Sequence, residues 1–172
     1  MNGKIYFSYS MIHRTIKKLS EEIRDSGFNP ELMVAIGTGG FIPARIMKTY
    51  LGLPILTVGI RYYNKENKLQ SEPERIQWID EVEEKLKGKR ILLVDEVDDT
   101  RSTLEYCLRE LIKQKPDEIA VAVLHKKEKP KAGKIPSAVT RYFCGETLPD
   151  SWCCYPWDAL DIVEHERIAN QG

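Results

Sequence analysis

The chain has 172 residues, of which 42% are hydrophobic, and this is enough for one well-packed domain and short for two. Its 26 basic residues balance 26 acidic ones, so the composition gives no support to binding of nucleic acid or of a membrane surface. The cysteines lack CxxC spacing, no run reaches the roughly 20 apolar residues of a membrane helix, and the first residues show no apolar signal core. We therefore expect a single cytoplasmic domain spanning residues 1–172.

Helical and extended patterns alternate along the chain. Apolar residues recur at helical spacing from Ile12 to Ile23, which predicts an amphipathic helix with Ser10 as its N-cap and Gly27 as its C-cap. Strands separated by helix-length segments pair in parallel through right-handed crossovers. The sequence therefore predicts an α/β fold, an open twisted and mainly parallel sheet flanked by helices. The further predicted segments are strands at 31–36, 54–60, 91–94 and 118–125, and helices at 41–52 and 102–115.

One long polar stretch interrupts this alternation. Residues 61–79 carry too little apolar content to pack as core, and we predict a long loop between two strands.

Two segments with unusual composition directly follow predicted strands. The first is GTGG at 37–40, and the second is DEVDDTRST at 95–103. In open α/β sheets, ligands bind beyond the carboxyl ends of the strands, so both segments are expected at the binding edge.

The second segment contains a group of acids that needs a cation, followed by groups that bind an anion. Asp95, Glu96, Asp98 and Asp99 repel one another unless a metal ion or a cationic substrate lies among them. Hydroxyl groups follow at residues 100–103, where the next helix begins, and free amides at a helix start bind anions. The segment therefore predicts a site for a substrate that carries a metal-binding group and a separate phosphate.

Two common phosphate-binding motifs are absent. A P-loop requires GxxxxGK[ST], and a dinucleotide fold requires GxGxxG. The glycines of GTGGFIPAR satisfy neither pattern.

A third phosphate-binding pattern fits. ILLVDEVDDTRST, at 91–103, resembles the ribose-phosphate motif of the type I phosphoribosyltransferases, and it departs from that motif at Arg101, where many relatives have Gly. AIGTGGFIPAR, at 35–45, resembles the pyrophosphate loop of the family, and LPDSWCCYPWD, at 148–158, resembles the purine-binding segment of its 6-oxopurine enzymes. These motifs occur in the family's order. The resemblance implies the type I phosphoribosyltransferase fold, with a small hood from about residue 130 to 172, to which the N-terminal segment can contribute.

The resemblance also implies an activity, purine salvage. Ribose 5-phosphate would be transferred from 5-phosphoribosyl-1-diphosphate to N9 of hypoxanthine, guanine or xanthine, with magnesium as cofactor, diphosphate as leaving group and a nucleotide as product. Relatives are commonly homodimers or homotetramers. The alternative is a non-catalytic protein of the same fold that senses phosphoribosyl diphosphate or a nucleotide, without contact to nucleic acid or membrane.

Residue roles on the donor side follow from the same motifs. Asp95 and Glu96 would bind magnesium, while Asp158, or else Asp161, would bind a second ion. Asp99 would act as the base at purine N7. A cis peptide is implied between Gly37 and Thr38. The implied donor-binding residues are Gly37, Thr38, Gly39, Gly40, Asp95, Glu96, Val97, Asp98, Thr100, Arg101, Ser102 and Thr103.

The purine side has its own candidates. Trp152 would stack on the base and the backbone of Cys153 would face its edge, whereas Trp157 is interpreted as a core aromatic residue. A cation is needed at the 6-oxo group, and Lys126 and Lys127 both qualify, with Lys127 favoured. In relatives, the loop that corresponds to 61–79 closes over the donor.

Overall fold

The structure, a computed structural model, describes residues 3–63 and 69–171. A short 3₁₀ helix, Pro156–Asp158, lies between the last strand and the last helix. The strands are β1 (Lys4–Tyr6), β2 (Leu32–Gly37), β3 (Ile55–Tyr63), β4 (Leu69–Gln77), β5 (Arg90–Asp98), β6 (Glu118–Glu128), β7 (Val139–Pro149) and β8 (Trp152–Cys154), and the helices are α1 (Tyr9–Asp25), α2 (Phe41–Leu51), α3 (Val82–Leu86), α4 (Ser102–Ile112) and α5 (Ile162–Ala169).

The main sheet has six strands in the order β4-β3-β2-β5-β6-β7. All neighbours are parallel except β3 and β4, which pair antiparallel. The predicted mainly parallel α/β fold is therefore confirmed. Because β2, β5 and β6 are adjacent, the loops after their carboxyl ends meet at one edge of the sheet.

Both faces of the main sheet are covered. Met33 and Ala35 of β2 pack on the side of α1 and α2, whereas Val34 and Ile36 pack on the side of α4. Alternate side chains of a strand point to opposite faces, so a strand buried on both faces reads as a continuous apolar run. This explains why the central strands show no alternation of polar and apolar residues.

The start of α1 differs from the prediction. Ser8, not Ser10, is the N-cap, because its backbone is extended and its side chain accepts a hydrogen bond from the amide of Met11 at 3.2 Å. Ser10 lies inside the helix. At the other end the capping residue is Ser26, and Gly27 follows it with φ of 75°, which glycine adopts without strain.

The polar stretch after β3 is not simply a loop. β3 continues to Tyr63, and β4 pairs with it along the edge of the sheet. The prediction was wrong because an edge strand with exposed faces needs little apolar content, and an edge position tolerates Pro73. Residues 64–68 of the predicted loop lie outside the described residues.

A second, two-stranded sheet forms beside the carboxyl edge of the main sheet. β1 pairs in parallel with β8, and α5 packs against β1. The hood is therefore built from both ends of the chain, whereas β7, which the predicted boundary near residue 130 assigned to the hood, belongs to the main sheet. Among the described residues, no helix is long and apolar enough to cross a membrane.

Candidate active site

The loops that follow β2 and β5 enclose a cavity of about 360 Å³. Both unusual segments of the sequence therefore meet, as their positions after parallel strands predicted. The lining residues are Ile36, Gly37, Thr38, Gly39, Ile60, Asp95, Glu96, Val97, Asp99, Thr100, Arg101, Thr103 and Leu104.

The loop after β2 lies unusually close to β5. A Cβ atom on Gly40 would lie 2.7 Å from the carbonyl oxygens of Ile36 and Val94, and one on Gly39 would overlap the carboxylate of Glu96. Glycine is needed at both positions for this approach. The peptide between Gly37 and Thr38 is cis, as the family resemblance implied.

The first three acids of the second segment, Asp95, Glu96 and Asp98, belong to β5, which continues past Val94. Asp95 is buried, and burial together with the neighbouring Glu96 raises its pKa well above the ordinary value. The amide of Glu96 donates a hydrogen bond of 2.9 Å to Asp95 Oδ1. A cation beside these carboxylates would offset the burial and repulsion that disfavour the ionised form of Asp95.

The donor set fits magnesium only in part. No group of three His, Cys, Asp or Glu side chains suitable for a metal occurs in the described part of the chain. Two carboxylates are nevertheless a normal protein share for magnesium, which keeps several waters and binds substrate phosphates. The carboxylate of Glu96 faces Gly39, so an ion there would lie next to a diphosphate held by the glycine loop.

The two candidates for a second metal ligand lie in the hood. Asp158 is exposed at the end of the 3₁₀ helix. Asp161 caps α5, because its Oδ1 accepts a hydrogen bond of 3.0 Å from the amide of Glu164. Asp158 remains the freer candidate, and its role stays a prediction.

The start of α4 has features expected of an anion site, whose occupation stays a prediction. Thr100 and Thr103 line the cavity, and Thr100 Oγ1 lies 3.2 Å from Ser102 Oγ. No side chain of the described residues caps the helix at Arg101, which leaves its first amides available to an anion. Ser102 does not line the cavity, but its carbonyl accepts a hydrogen bond of 2.9 Å from Tyr62 Oη.

Asp98, one of the predicted donor-binding residues, has its side chain buried beneath the loop. Its side chain is 0% exposed, accepts a hydrogen bond of 2.7 Å from Arg101 Nη2 and accepts another of 2.6 Å from Tyr142. Lys131 donates hydrogen bonds of 2.6 and 2.8 Å to the carbonyls of Asp98 and Asp99. The carboxylate of Asp98 is therefore not available to a donor molecule, and the guanidinium of Arg101 is committed to Asp98. Together these contacts hold the loop after β5 in place.

Asp99 lies at the cavity between two lysines. Lys129 Nζ is 2.6 Å from its Oδ1, and Lys127 Nζ is 3.4 Å from its Oδ2. Burial alone would raise the pKa of Asp99, but the two lysines outweigh burial and lower it. The described surroundings therefore keep Asp99 ionised, which is the form that accepts a proton.

The purine-side candidates gather around the same carboxylate. Lys127 lies on β6 with only 6% of its surface exposed, 5.9 Å from the ring of Trp152. Trp152 is 66% exposed, so its ring offers a face for stacking. Because successive residues of a strand point to opposite faces, Lys126 is turned away from Asp99. The geometry therefore agrees with the choice of Lys127.

Aromatic packing connects the hood to the acidic segment. Tyr155 is buried, stacks on Trp157 with ring centres 4.5 Å apart, and shares a hydrogen bond of 2.8 Å with His125 Nδ1. Its hydroxyl also lies 3.4 Å from the carbonyl of Glu96. Burial lowers the pKa of His125 to about 4, so this imidazole is neutral at physiological pH. Cys153, which precedes this group on β8, is half-buried.

The antiparallel ribbon of β3 and β4 is joined to α4. Arg75 donates a hydrogen bond of 2.8 Å to Tyr106 and pairs with Glu110, while its guanidinium lies 4.3 Å from the ring centre of Trp78. Closure of this region over a donor stays a prediction.

Sequence reasoning missed four residues that surround the site: Lys129, Asp150, Lys131 and Tyr142. A spacing of two residues from Lys127 could have indicated Lys129. Lys131 and Tyr142 carry no signal in the sequence, because only the tertiary fold brings them to Asp98.

Comparisons with known proteins agree with this geometry. Residues 8–152 match the phosphoribosyl transferase domain family. The chain is 40% identical to hypoxanthine-guanine phosphoribosyltransferase of Saccharomyces cerevisiae, over 98% of the chain and 91% of the yeast protein. It is 36% identical to xanthine phosphoribosyltransferase 1 of the same yeast, over 98% and 96% respectively. It is also similar to the crystal structure of a hypothetical protein from Neisseria gonorrhoeae with bound ppGpp, with a TM-score of 0.93 and 51% identity over 100% of this chain and 98% of that one.

The fold, the order of the loops and these matches place the chain in a class of transferases that form nucleotides. The chain belongs to the type I phosphoribosyltransferase family, among its 6-oxopurine members, and it is an enzyme.

Proposed function

We propose that this enzyme transfers ribose 5-phosphate from 5-phosphoribosyl-1-diphosphate to N9 of a 6-oxopurine and releases diphosphate. The observation that carries the proposal is that Asp99 lies between the phosphate-binding loop and the purine-side pair of Lys127 and Trp152. A base at this position can reach a purine whose N9 faces the sugar. The similarity to two purine phosphoribosyltransferases supports the same substrates.

The donor would be held at both of its phosphate ends. The amides of Gly37 to Gly40 would bind the diphosphate, and the amides and hydroxyls of residues 100–103 would bind the 5′-phosphate. Asp95 and Glu96 would hold magnesium and the ribose hydroxyls, and Asp158 is proposed for a second ion. When bound, magnesium supplies positive charge that stabilises the departing diphosphate.

The transfer breaks the bond between C1′ and the diphosphate oxygen and forms a bond from N9 to C1′. Positive charge develops at the sugar as the first bond breaks, and the carboxylates beside it stabilise that charge. Asp99 would accept the proton that the purine loses from N7, so the base becomes neutral in the nucleotide. Proton acceptance of this kind contributes about 10² to 10⁴ in rate.

The purine would be recognised at its 6-oxo edge. Lys127 would donate a hydrogen bond to the oxygen, Trp152 would stack on the ring, and the backbone of Cys153 would face the edge of the base. Adenine carries an amino group at position 6, which cannot accept the bond from Lys127, so we expect adenine to be rejected.

The activity is tested by mixing the purified protein with donor, magnesium and one base at a time. Nucleotide and diphosphate should form with hypoxanthine, guanine or xanthine and not with adenine. Absence of product with every base would overturn the proposal and would favour the non-catalytic sensor. Assembly into homodimers or homotetramers is a further expectation, which light scattering tests.

A second ligand is proposed for the same cavity. The similar protein from Neisseria gonorrhoeae has ppGpp bound, and ppGpp combines a guanine base with diphosphate groups, the chemical features for which this site is suited. Calorimetry should therefore detect ppGpp, and saturation with donor should abolish that binding. Simultaneous binding of both molecules would place ppGpp elsewhere.

A further inference from the structure

Lys129 contacts one oxygen of Asp99, the carboxylate that is proposed to accept the purine's proton. Its Nζ lies 2.6 Å from Asp99 Oδ1, and this oxygen is fully covered and has no aligned hydrogen-bond partner among the described residues. The ammonium of Lys129 therefore shields this oxygen from any other hydrogen-bond donor. A purine N7–H can approach Oδ1 only after the ammonium has moved.

A second partner for Lys129 is already in place. Asp150 Oδ1 accepts a hydrogen bond of 3.1 Å from the same ammonium, and Asp150 lies two residues before Trp152. The ammonium therefore has a carboxylate on each side and can leave one without losing the other. Its side chain is 23% exposed, so it has room to move.

Lys127 differs from Lys129 in both respects. It is 6% exposed, and among the described residues the only carboxylate within ion-pair distance of its ammonium is that of Asp99, at 3.4 Å. Because the ion pair of Lys127 is long, its ammonium can still donate a hydrogen bond to the purine oxygen. The short contact of Lys129 instead covers the oxygen of Asp99 that would accept a proton. The two lysines therefore have different tasks.

We propose that Lys129 competes with the purine for Asp99, and that the binding of a 6-oxopurine moves its ammonium entirely onto Asp150. This inference rests on the proposed function, since it assumes that Asp99 accepts the N7 proton. Lys129 is then a residue that sets the affinity for the purine, and Asp150 is a positioning residue that acts through it.

The proposal predicts opposite effects for the two partners. Lys129→Met removes the competitor, so the KM for the purine should fall roughly two- to fivefold, a small factor because partly exposed ion pairs are weak. Asp150→Asn removes the alternative partner and should raise this KM by a similar factor. The double variant should match Lys129→Met, because Asp150 acts only through Lys129.

These variants are compared with the wild type in steady-state assays at saturating donor. Lys134→Met, which changes an exposed lysine in the following segment, is the matched control. Urea unfolding of each variant separates loss of structure from loss of affinity.

Three results would overturn the inference. A higher KM in Lys129→Met would indicate that Lys129 binds the purine, and an unchanged KM would indicate that its contact with Asp99 is only a surface ion pair. An effect of Asp150→Asn that persists in the Lys129→Met background would show that Asp150 acts independently of Lys129. Each of these results requires that the wild-type enzyme forms nucleotide in the same assay. A wild type that forms none would instead overturn the proposed function and, with it, this inference.

Discussion

The two sides of the cavity are held in different ways. On the donor side, the loop after β5 is fixed by contacts within the protein: Asp98 is completely buried beneath it, and Lys131 binds two of its carbonyls. On the purine side, Trp152 is largely exposed, and Lys129 divides its charge between two carboxylates. We therefore expect the proposed donor site to be formed in advance and the proposed purine site to rearrange when the base enters.

Asp98 and Asp99 illustrate this difference within two adjacent residues. Because consecutive side chains at the end of β5 point in different directions, one carboxylate enters the core and the other faces the cavity. We expect the first to have a structural role and the second a chemical one. Substitutions at these positions should therefore separate stability from turnover.

The largest effect is expected at Asp99. Asp99→Asn keeps the shape of the side chain but cannot accept the N7 proton, so kcat should fall by about 10² to 10⁴. Donor binding, measured by calorimetry with magnesium, should persist. Asp117→Asn, on the exposed turn before β6, is the control. An unchanged kcat in Asp99→Asn would remove this residue from the reaction.

Asp98→Asn tests whether the donor side is fixed by its buried ion pair. Loss of the charge leaves Arg101 and Lys131 without their shared partner, and breaking a buried pair costs about 3 to 5 kcal/mol. The free energy of unfolding in urea should fall by that amount. A variant as stable as the wild type would show that the loop does not depend on this carboxylate.

A smaller effect should distinguish the two neighbouring lysines of β6. A hydrogen bond from a charged group contributes about 1.5 to 3 kcal/mol, so Lys127→Met should raise the KM for the purine about 10- to 100-fold. Lys126→Met is the matched substitution on the opposite face of the strand, and it should change this KM little. The reverse result would assign the 6-oxo contact to Lys126.

The smallest effect concerns pH and the hydrogen bond that joins the hood to the main sheet. Burial lowers the pKa of His125 to about 4, so its imidazole stays neutral in the folded protein. In the unfolded chain the same imidazole takes up a proton near pH 6.5. Stability should therefore fall as the pH falls, by about 2 kcal/mol between about pH 7 and pH 5.

Unfolding of His125→Gln across this range tests the assignment. The variant should lose most of this pH dependence, whereas His13→Gln, on the exposed face of α1, should retain it. An equal slope in both variants would assign the pH dependence to other groups.

The sequence predicted the parts of the molecule that depend on local pattern. The alternating strands and helices gave the parallel sheet, and the positions of GTGG and DEVDDTRST after two strands placed both at one edge. Ser8 was missed as the N-cap of α1 because several residues near it could cap the helix, and only the backbone conformation decides among them. β4 was missed because an edge strand needs no apolar face.

The remaining features depend on distant parts of the chain. Tyr142 comes from β7, and Asp150 comes from the turn before β8, yet they contact Asp98 and Lys129 respectively. Such pairs leave no periodic pattern, so residues that are adjacent only in space could not be assigned. This is why the buried contacts of Asp98 could not be predicted from the sequence.

We propose above that the two loops form a site for a sugar diphosphate and magnesium. Calorimetric titration of the wild type with 5-phosphoribosyl-1-diphosphate, with and without magnesium, tests it most directly. We predict binding that requires magnesium and that weakens in Glu96→Gln, whose carboxylate faces the glycine loop. Absence of binding in the presence of magnesium would contradict the claim.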